Sequence, residues 1–157
     1  ATQDALLSRF GYAFVQPKNS PYPPILEMNT IAGPISVEGA GGVVNLEPIK
    51  VNHGSIDALG LRVNDVAYMP DVAEIYDDAW DQLEGLECWI LDALRRSPHP
   101  THAHLEKSLE WIERVAPKTA VLTNMHNDLD YEVVLAETPD HIQPAFDGMV
   151  LRYPTDA

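Results

Sequence analysis

The feature that most constrains the fold is a change in the spacing of apolar residues at Asp71. Before this residue, apolar and polar side chains alternate over short stretches that are separated by glycine, proline or asparagine, which is typical of β-strands. After it, short apolar runs alternate with stretches in which apolar residues recur every three or four positions, which is typical of helices. This order predicts a mixed β-sheet with packed helices, an α/β domain with α+β layering.

The same patterns predict the individual elements. We expect a helix from Thr2 to Arg9 that ends at Gly11, an acidic helix from Ala73 to Leu83, and a final hairpin that turns at Asp147 and Gly148. Further helices are predicted after His104 and over 128–136. Strands are predicted at 35–38, 43–46, 48–53, 59–63, 66–69, 87–91 and 119–123. No repeat or inter-domain linker interrupts residues 1–157, so a single domain is expected.

Charge and composition exclude several classes of partner. The chain has 24 acidic and 10 basic residues, a formal net charge of −14, so nucleic acid is not an expected partner. No apolar run is long enough to span a bilayer, so no membrane association is expected. One cysteine, Cys88, rules out an internal disulfide framework. No signal peptide is visible, and we expect a cytoplasmic protein.

Histidine and aspartate occur where predicted strands end. His53 and Asp71 each end a strand, and His126 follows a third. Because strand ends on one edge of a layered sheet converge, these side chains can share a site. Imidazole and carboxylate together suit Zn²⁺, Mn²⁺ or Fe²⁺. The pattern therefore favours a metal-dependent hydrolase.

Each of these residues also has a structural interpretation. A single histidine after a strand is more often a satisfied core or surface residue than a metal ligand. Asp71 can cap the helix predicted to start near Val72. The loop that contains His99, His102 and His104 can be solvated, with Thr101 capping the next helix. The residues alone leave both interpretations open.

The order and spacing of several motifs resemble the metallo-β-lactamase fold, and in particular the phosphoribosyl cyclic phosphodiesterases and their bacterial relatives. These motifs extend over nearly the whole chain: Asn52-His53-Gly54, Leu59-Gly60-Leu61-Arg62, Ala67-Tyr68-Met69-Pro70-Asp71, Leu91-Asp92-Ala93-Leu94-Arg95, Pro98-His99-Pro100-Thr101-His102, Leu122 to Tyr131 and Pro144 to Met149.

The first metal motif of that family, His-x-His-x-Asp-His, does not occur in the sequence. The chain therefore resembles the C-terminal half to two-thirds of the family domain. We expect residues 1–157 to be a single partial domain of an αββα sandwich, a fragment that does not include the N-terminal metal-binding segment.

The resemblance implies a role for each candidate residue. His53 would ligate one metal ion, Asp71 would bridge two ions, and His102 would contact the phosphate or protonate the leaving oxygen. The family usually has histidine where this chain has Asn124. We expect His126 to take that place as metal ligand, because imidazole binds these ions far better than a carboxamide does, and Asn124 to lie near the substrate.

The implied activity is hydrolysis of a small cyclic or diester phosphate by water that two divalent metal ions activate, Zn or Mn, in the intact protein. In this chain alone the ions would be absent or partial. Other esters or lactones would use the same ligands. The alternative is that the chain is not an enzyme but a truncated remnant, which pairs through exposed sheet edges with a second copy or with its missing half.

Overall fold

A computed structural model describes residues 2–153, which form two compact units that divide between Ala32 and Gly33. The first unit consists of helix α1, Thr2–Phe14, and the irregular segment that follows it. The helix was predicted to end at Gly11, but it continues to Phe14 with non-helical angles at Phe10. After the helix the chain folds back, so that the amides of Ile25 and Leu26 donate hydrogen bonds to the carbonyl of Ala13.

The second unit is an eight-stranded mixed sheet with helices, as predicted. The strands lie in the order β1-β2-β3-β4-β6-β7-β8, and β5 pairs with β2. Neighbours from β1 to β4 are antiparallel, whereas β4, β6, β7 and β8 are parallel. The elements are β1 Ile35–Gly39, β2 Gly42–His53, β3 Ile56–Val63, β4 Val66–Met69, β5 Glu74–Ile75, a 3₁₀ helix Asp77–Leu83, β6 Cys88–Asp92, α2 Leu105–Val115, β7 Thr119–Thr123, α3 Tyr131–Glu137 and β8 Ile142–Pro144.

Five strands of this sheet end at the same edge. β2 is antiparallel to β3 and β3 is antiparallel to β4, so β2 runs in the same direction as β4, β6, β7 and β8. Their carboxyl ends are His53, Met69, Asp92, Thr123 and Pro144. Loops at the carboxyl ends of parallel strands are where open α/β sheets bind ligands. The topology therefore brings the loops after these strands together.

The two faces of the sheet differ in burial. Trp89 and Leu91 of β6 belong to a fully buried core that also includes Trp111 and Ile112 of α2. On the opposite face, the register places Leu61, Tyr68 and Ile90 side by side. Tyr68 is 46% exposed and Leu59, on the same face, is 44% exposed. Helix α2 thus covers one face, while the second face keeps apolar side chains in contact with solvent.

Two predicted elements are wrong. Residues 73–83 do not form an α-helix, because Ile75 pairs with Val51 in the sheet and a 3₁₀ helix begins only at Asp77. The final hairpin is also absent. Strand β8 ends at Pro144 and pairs in parallel with β7 instead of with 149–153. None of the helices in residues 2–153 has the length and apolar character needed to cross a lipid bilayer.

Candidate metal and proton-transfer site

His53 is held at the end of β2 by a tight turn. The side chain of Asn52 accepts a hydrogen bond from the amide of Gly54 at 3.0 Å. Gly54 has a φ of +76°, and a Cβ at this position would lie 2.6 Å from Cγ2 of Thr101. Only glycine combines the left-handed backbone with this close approach. The turn therefore brings His53 against the loop that carries His102, and the two rings meet edge to face with centroids 4.6 Å apart.

Asp71 lies just after β4, on the segment that crosses to β5. Its predicted capping role is wrong, because the chain after it is extended and the 3₁₀ helix has Tyr76 at its N-cap position. The amide of Ala73 donates to the carbonyl of Asn52, which fixes this segment beside β2. The carboxylate is about half exposed and lies 4.0 Å from Nδ1 of His102. Asp71 is thus free to act as a ligand at the sheet edge.

Asp92, at the end of β6, is a fully buried carboxylate and supports His102. Its Oδ2 lies 2.8 Å from Nδ1 of His102 and accepts a bond from the amide of Val72 at 3.2 Å. Its Oδ1 accepts from Asn124 at 3.1 Å. Burial raises the pKa of Asp92, and the hydrogen bonds from His102 and Val72 oppose that rise. No role was predicted for Asp92 from the sequence, although a carboxylate directly after a buried strand was a usable signal.

The three predicted residues His53, Asp71 and His102 come together. Each offers one ligand atom, and these atoms all lie within 4.8 Å of one another. Nδ1 of His53 is buried and has no hydrogen-bond partner among the described residues. The imidazole of His53 and the carboxylate of Asp71 are donors that suit Zn²⁺ and related divalent ions, and the imidazole of His102 lies beside them. The residues present therefore fit a metal ion.

The structure places Asn124 beside His102 and Asp92, whereas it places His126 farther out. Asn124 adopts a left-handed φ of 60°, and its amide donates to Asp92 and lies 3.2 Å from Nδ1 of His102. The His126 side chain is 60% exposed and lies 3.3 Å from Asp128. It is outside the group formed by His53, Asp71 and His102. Desolvation raises the pKa of Asp128, but bonds from the Arg96 amide and His126 outweigh it, and the pKa is lowered overall.

His99 adds a third imidazole beside the group. Its ring centroid is 5.3 Å from that of His102, and its Nδ1 accepts a hydrogen bond from the amide of Thr101 at 3.3 Å. Partial desolvation, together with the nearby Arg95, lowers the pKa of His99. The Arg95 guanidinium is fixed by the carbonyls of Ser97 and Pro98. Histidine and arginine thus concentrate here in a chain of net charge −14.

The pairing of His102 with Asp92 has two chemical uses. A carboxylate bonded to one ring nitrogen fixes the tautomer of a metal-ligating histidine. The same arrangement stabilises a protonated imidazole during proton transfer. In either case Nδ1 is occupied by Asp92, so Nε2 of His102 is the nitrogen that can act on a ligand.

Comparison with known proteins gives one family and several similar structures. A family model described as "Beta-lactamase superfamily domain" matches residues 1–125. A crystal structure of a diphosphatase from the PhnP family superposes with a TM-score of 0.83 at 29% sequence identity, over 98% of this chain and 56% of that protein. The Zn²⁺-bound PqqB from Methylobacterium extorquens superposes with a TM-score of 0.61 at 15% identity, over 81% of this chain and 56% of that protein.

A curated relative is longer than this chain. An octanoyltransferase of Porphyromonas gingivalis is 25% identical over 150 residues, which are 93% of this chain and 30% of that protein. The chain therefore spans about half the length of the diphosphatase and less than a third of the octanoyltransferase.

Proposed function

The chain belongs to the beta-lactamase superfamily domain family, and on that basis we propose that the protein is a metal-dependent hydrolase of small phosphate esters or phosphoanhydrides. The observation that carries the proposal is the convergence of His53, Asp71 and His102, whose ligand atoms lie within 4.8 Å of one another. The similarity to a diphosphatase supports a phosphorus-containing substrate. The similarity to a Zn²⁺-bound protein supports zinc as the ion.

In this proposal His53 and Asp71 hold the metal, and His102 acts on the substrate. When bound, a divalent ion lowers the pKa of a water and neutralises the charge of phosphoryl oxygens. His102 donates the proton on Nε2 to the leaving oxygen. The buried Asp92, 2.8 Å from Nδ1, stabilises the protonated ring and holds its orientation. This division of roles uses each side chain for the chemistry that its surroundings favour.

The hydrogen-bond donors around the sheet edge support a small anionic substrate. The chain is strongly acidic overall, with a net charge of −14, and a long polyanion would be repelled by most of its surface. His53, His99, His102 and Arg95 lie together around the sheet edge. A phosphate group is small enough to contact only this local cluster. Acyl transfer is not proposed, because this chain matches only 30% of the length of the octanoyltransferase.

The proposal is tested with bis-p-nitrophenyl phosphate as substrate and p-nitrophenyl acetate as comparison. The intact protein is expected to hydrolyse the phosphodiester, to lose this activity in EDTA and to regain it with Zn²⁺ or Mn²⁺. His53→Ala and Asp71→Ala are expected to abolish it, because each removes a ligand. Full activity in both variants would contradict the metal site. No hydrolysis of any substrate by the metal-loaded protein would support the non-enzymatic alternative.

A further inference from the structure

A cavity of about 920 Å³ lies along helix α2 and opens to solvent. Leu109 and Ile112 line it from the helix, Ala116 lines it just after the helix, and Pro139 and Ile142 line it from the segment that enters β8. None of its lining residues belongs to the His53, Asp71 and His102 group. A groove with an apolar floor beside a helix is the shape that an amphipathic peptide helix fills in many protein complexes.

The rim of this groove is acidic. Glu106, Glu110 and Glu113 lie three and four positions apart, on the side of α2 that borders the cavity. All three are exposed, and none has an ion-pair partner within residues 2–153. Like charges at this spacing repel one another and destabilise a helix. A cationic occupant would remove that repulsion.

The cations of α2 do not offset this charge, because they are engaged elsewhere. Lys107 binds Glu74 and the carbonyl of Ala73. Arg114 stacks on the ring of Trp80, with its guanidinium carbon 3.6 Å from the ring centroid. The single arginine on the cavity wall, Arg96, is paired with Glu137 at 2.9 Å. The groove therefore offers negative charge and apolar surface together.

We propose that this groove is a docking site for a cationic amphipathic helix of a partner protein, with leucine-like side chains on one face and lysine or arginine on the flanks. The apolar residues would cover the floor formed by Leu109, Ile112 and Ile142, and the cations would pair with Glu106, Glu110 and Glu113. A second copy of this chain is disfavoured as occupant, because its net charge of −14 adds repulsion.

The experiment measures binding of two fluorescein-labelled peptides of twelve residues by anisotropy. One has leucine at positions i, i+3, i+4 and i+7 with lysine elsewhere, and the other replaces each lysine by glutamate. The intact protein is expected to bind the lysine peptide at least about tenfold more tightly. Protection from hydrogen exchange is expected at 105–116 and 137–142.

Two triple variants distinguish binding in the groove from nonspecific attraction to the negative charge of the whole protein. Glu106→Gln, Glu110→Gln and Glu113→Gln together should weaken binding of the lysine peptide about tenfold or more. The matched control changes Glu38, Asp81 and Glu84 to Gln or Asn, three exposed carboxylates outside the groove, and should leave affinity within about twofold.

Several outcomes would overturn the proposal. They are absence of binding, equal binding of both peptides, equal loss in the two triple variants, or protection confined to other segments. Size-exclusion chromatography with light scattering measures the oligomeric state and gives one further test. A dimer that the groove variant dissociates would make a second copy the occupant and would also overturn the proposal.

Discussion

Two histidines near the same edge of the sheet have opposite surroundings. His102 is mostly buried and its ring is fixed by Asp92, a carboxylate with no solvent exposure. The His126 side chain is 60% exposed, and its Nδ1 lies 3.3 Å from the exposed Asp128. We call His102 and Asp92 the anchored pair, and His126 and Asp128 the outer pair. A histidine that transfers a proton must keep its orientation, so the anchored pair is expected to carry that step.

The first prediction concerns His102 itself. His102→Ala should lower turnover of a phosphodiester with an alkoxide leaving group about 100-fold or more, because it removes the proton donor that this leaving group needs. The metal content measured after dialysis should stay unchanged, because the ligands His53 and Asp71 remain. His126→Ala is the matched control within the outer pair. Equal losses of turnover in the two variants would remove the distinction between the two pairs.

The second prediction tests the hydrogen bond between Asp92 and His102. Asp92→Asn keeps the shape of the side chain but places an amide opposite Nδ1 of His102 and the amide of Val72. We expect turnover to fall about 10- to 100-fold. The loss should come from the ring orientation, because the carboxylate no longer holds Nδ1 of His102.

The readout for this variant is the full pH–rate profile together with the melting temperature. A uniform loss of activity at every pH, in step with loss of folded protein, would mean that Asp92 serves stability alone.

The third prediction concerns the turn that brings His53 to His102. Gly54→Ala adds a Cβ 2.6 Å from Cγ2 of Thr101 at a φ of +76°. We expect a loss of about 1–2 kcal/mol in the free energy of unfolding in urea, from the left-handed backbone alone. Gly85→Ala is the matched control, since Gly85 has a φ of +70° but no atom lies within 4 Å of the added Cβ there. Equal stability of the two variants would show that the close approach does not constrain the site.

The smallest effects are expected beside the site. Asn124→Ala removes one hydrogen bond to Asp92, which keeps those from His102 and Val72, and should cost about 0.5–1.5 kcal/mol of stability. His126→Ala should change stability by less than about 0.5 kcal/mol and metal content by less than about twofold. A larger loss of metal in His126→Ala than in Asn124→Ala would assign the last ligand to His126, as the sequence analysis expected.

The sequence predicted the sheet edge better than the elements around it. The strands that end at His53 and Thr123 were located from short apolar runs, and the parallel direction of β2, β4, β6 and β7 explains why the loops after them meet. The metallo-β-lactamase fold predicted from the motifs is confirmed by the family match over 1–125. Local periodicity and motif order were sufficient for these features.

The errors arose where long-range pairing outweighs the local pattern. Ile75, Ala79 and Leu83 have helical spacing, yet Ile75 pairs with Val51 in the sheet and the rest forms a 3₁₀ helix. Residues 142–144 resemble one arm of a hairpin, but they join β7 in parallel. The place of Asp92 after a buried strand was a usable signal, but its bond to His102 joins two separate elements and cannot be inferred from a local pattern.

The central claim is that His53 and Asp71 hold a metal ion while His102 acts on the substrate. The most direct test is the zinc content of the intact protein, His53→Ala and His102→Ala, after loading with Zn²⁺ and exhaustive dialysis. We predict that the protein and His102→Ala retain the same zinc content, and that His53→Ala loses at least about half of it. Unchanged zinc in His53→Ala would contradict the site, and equal losses in both variants would make His102 a ligand instead of a proton donor.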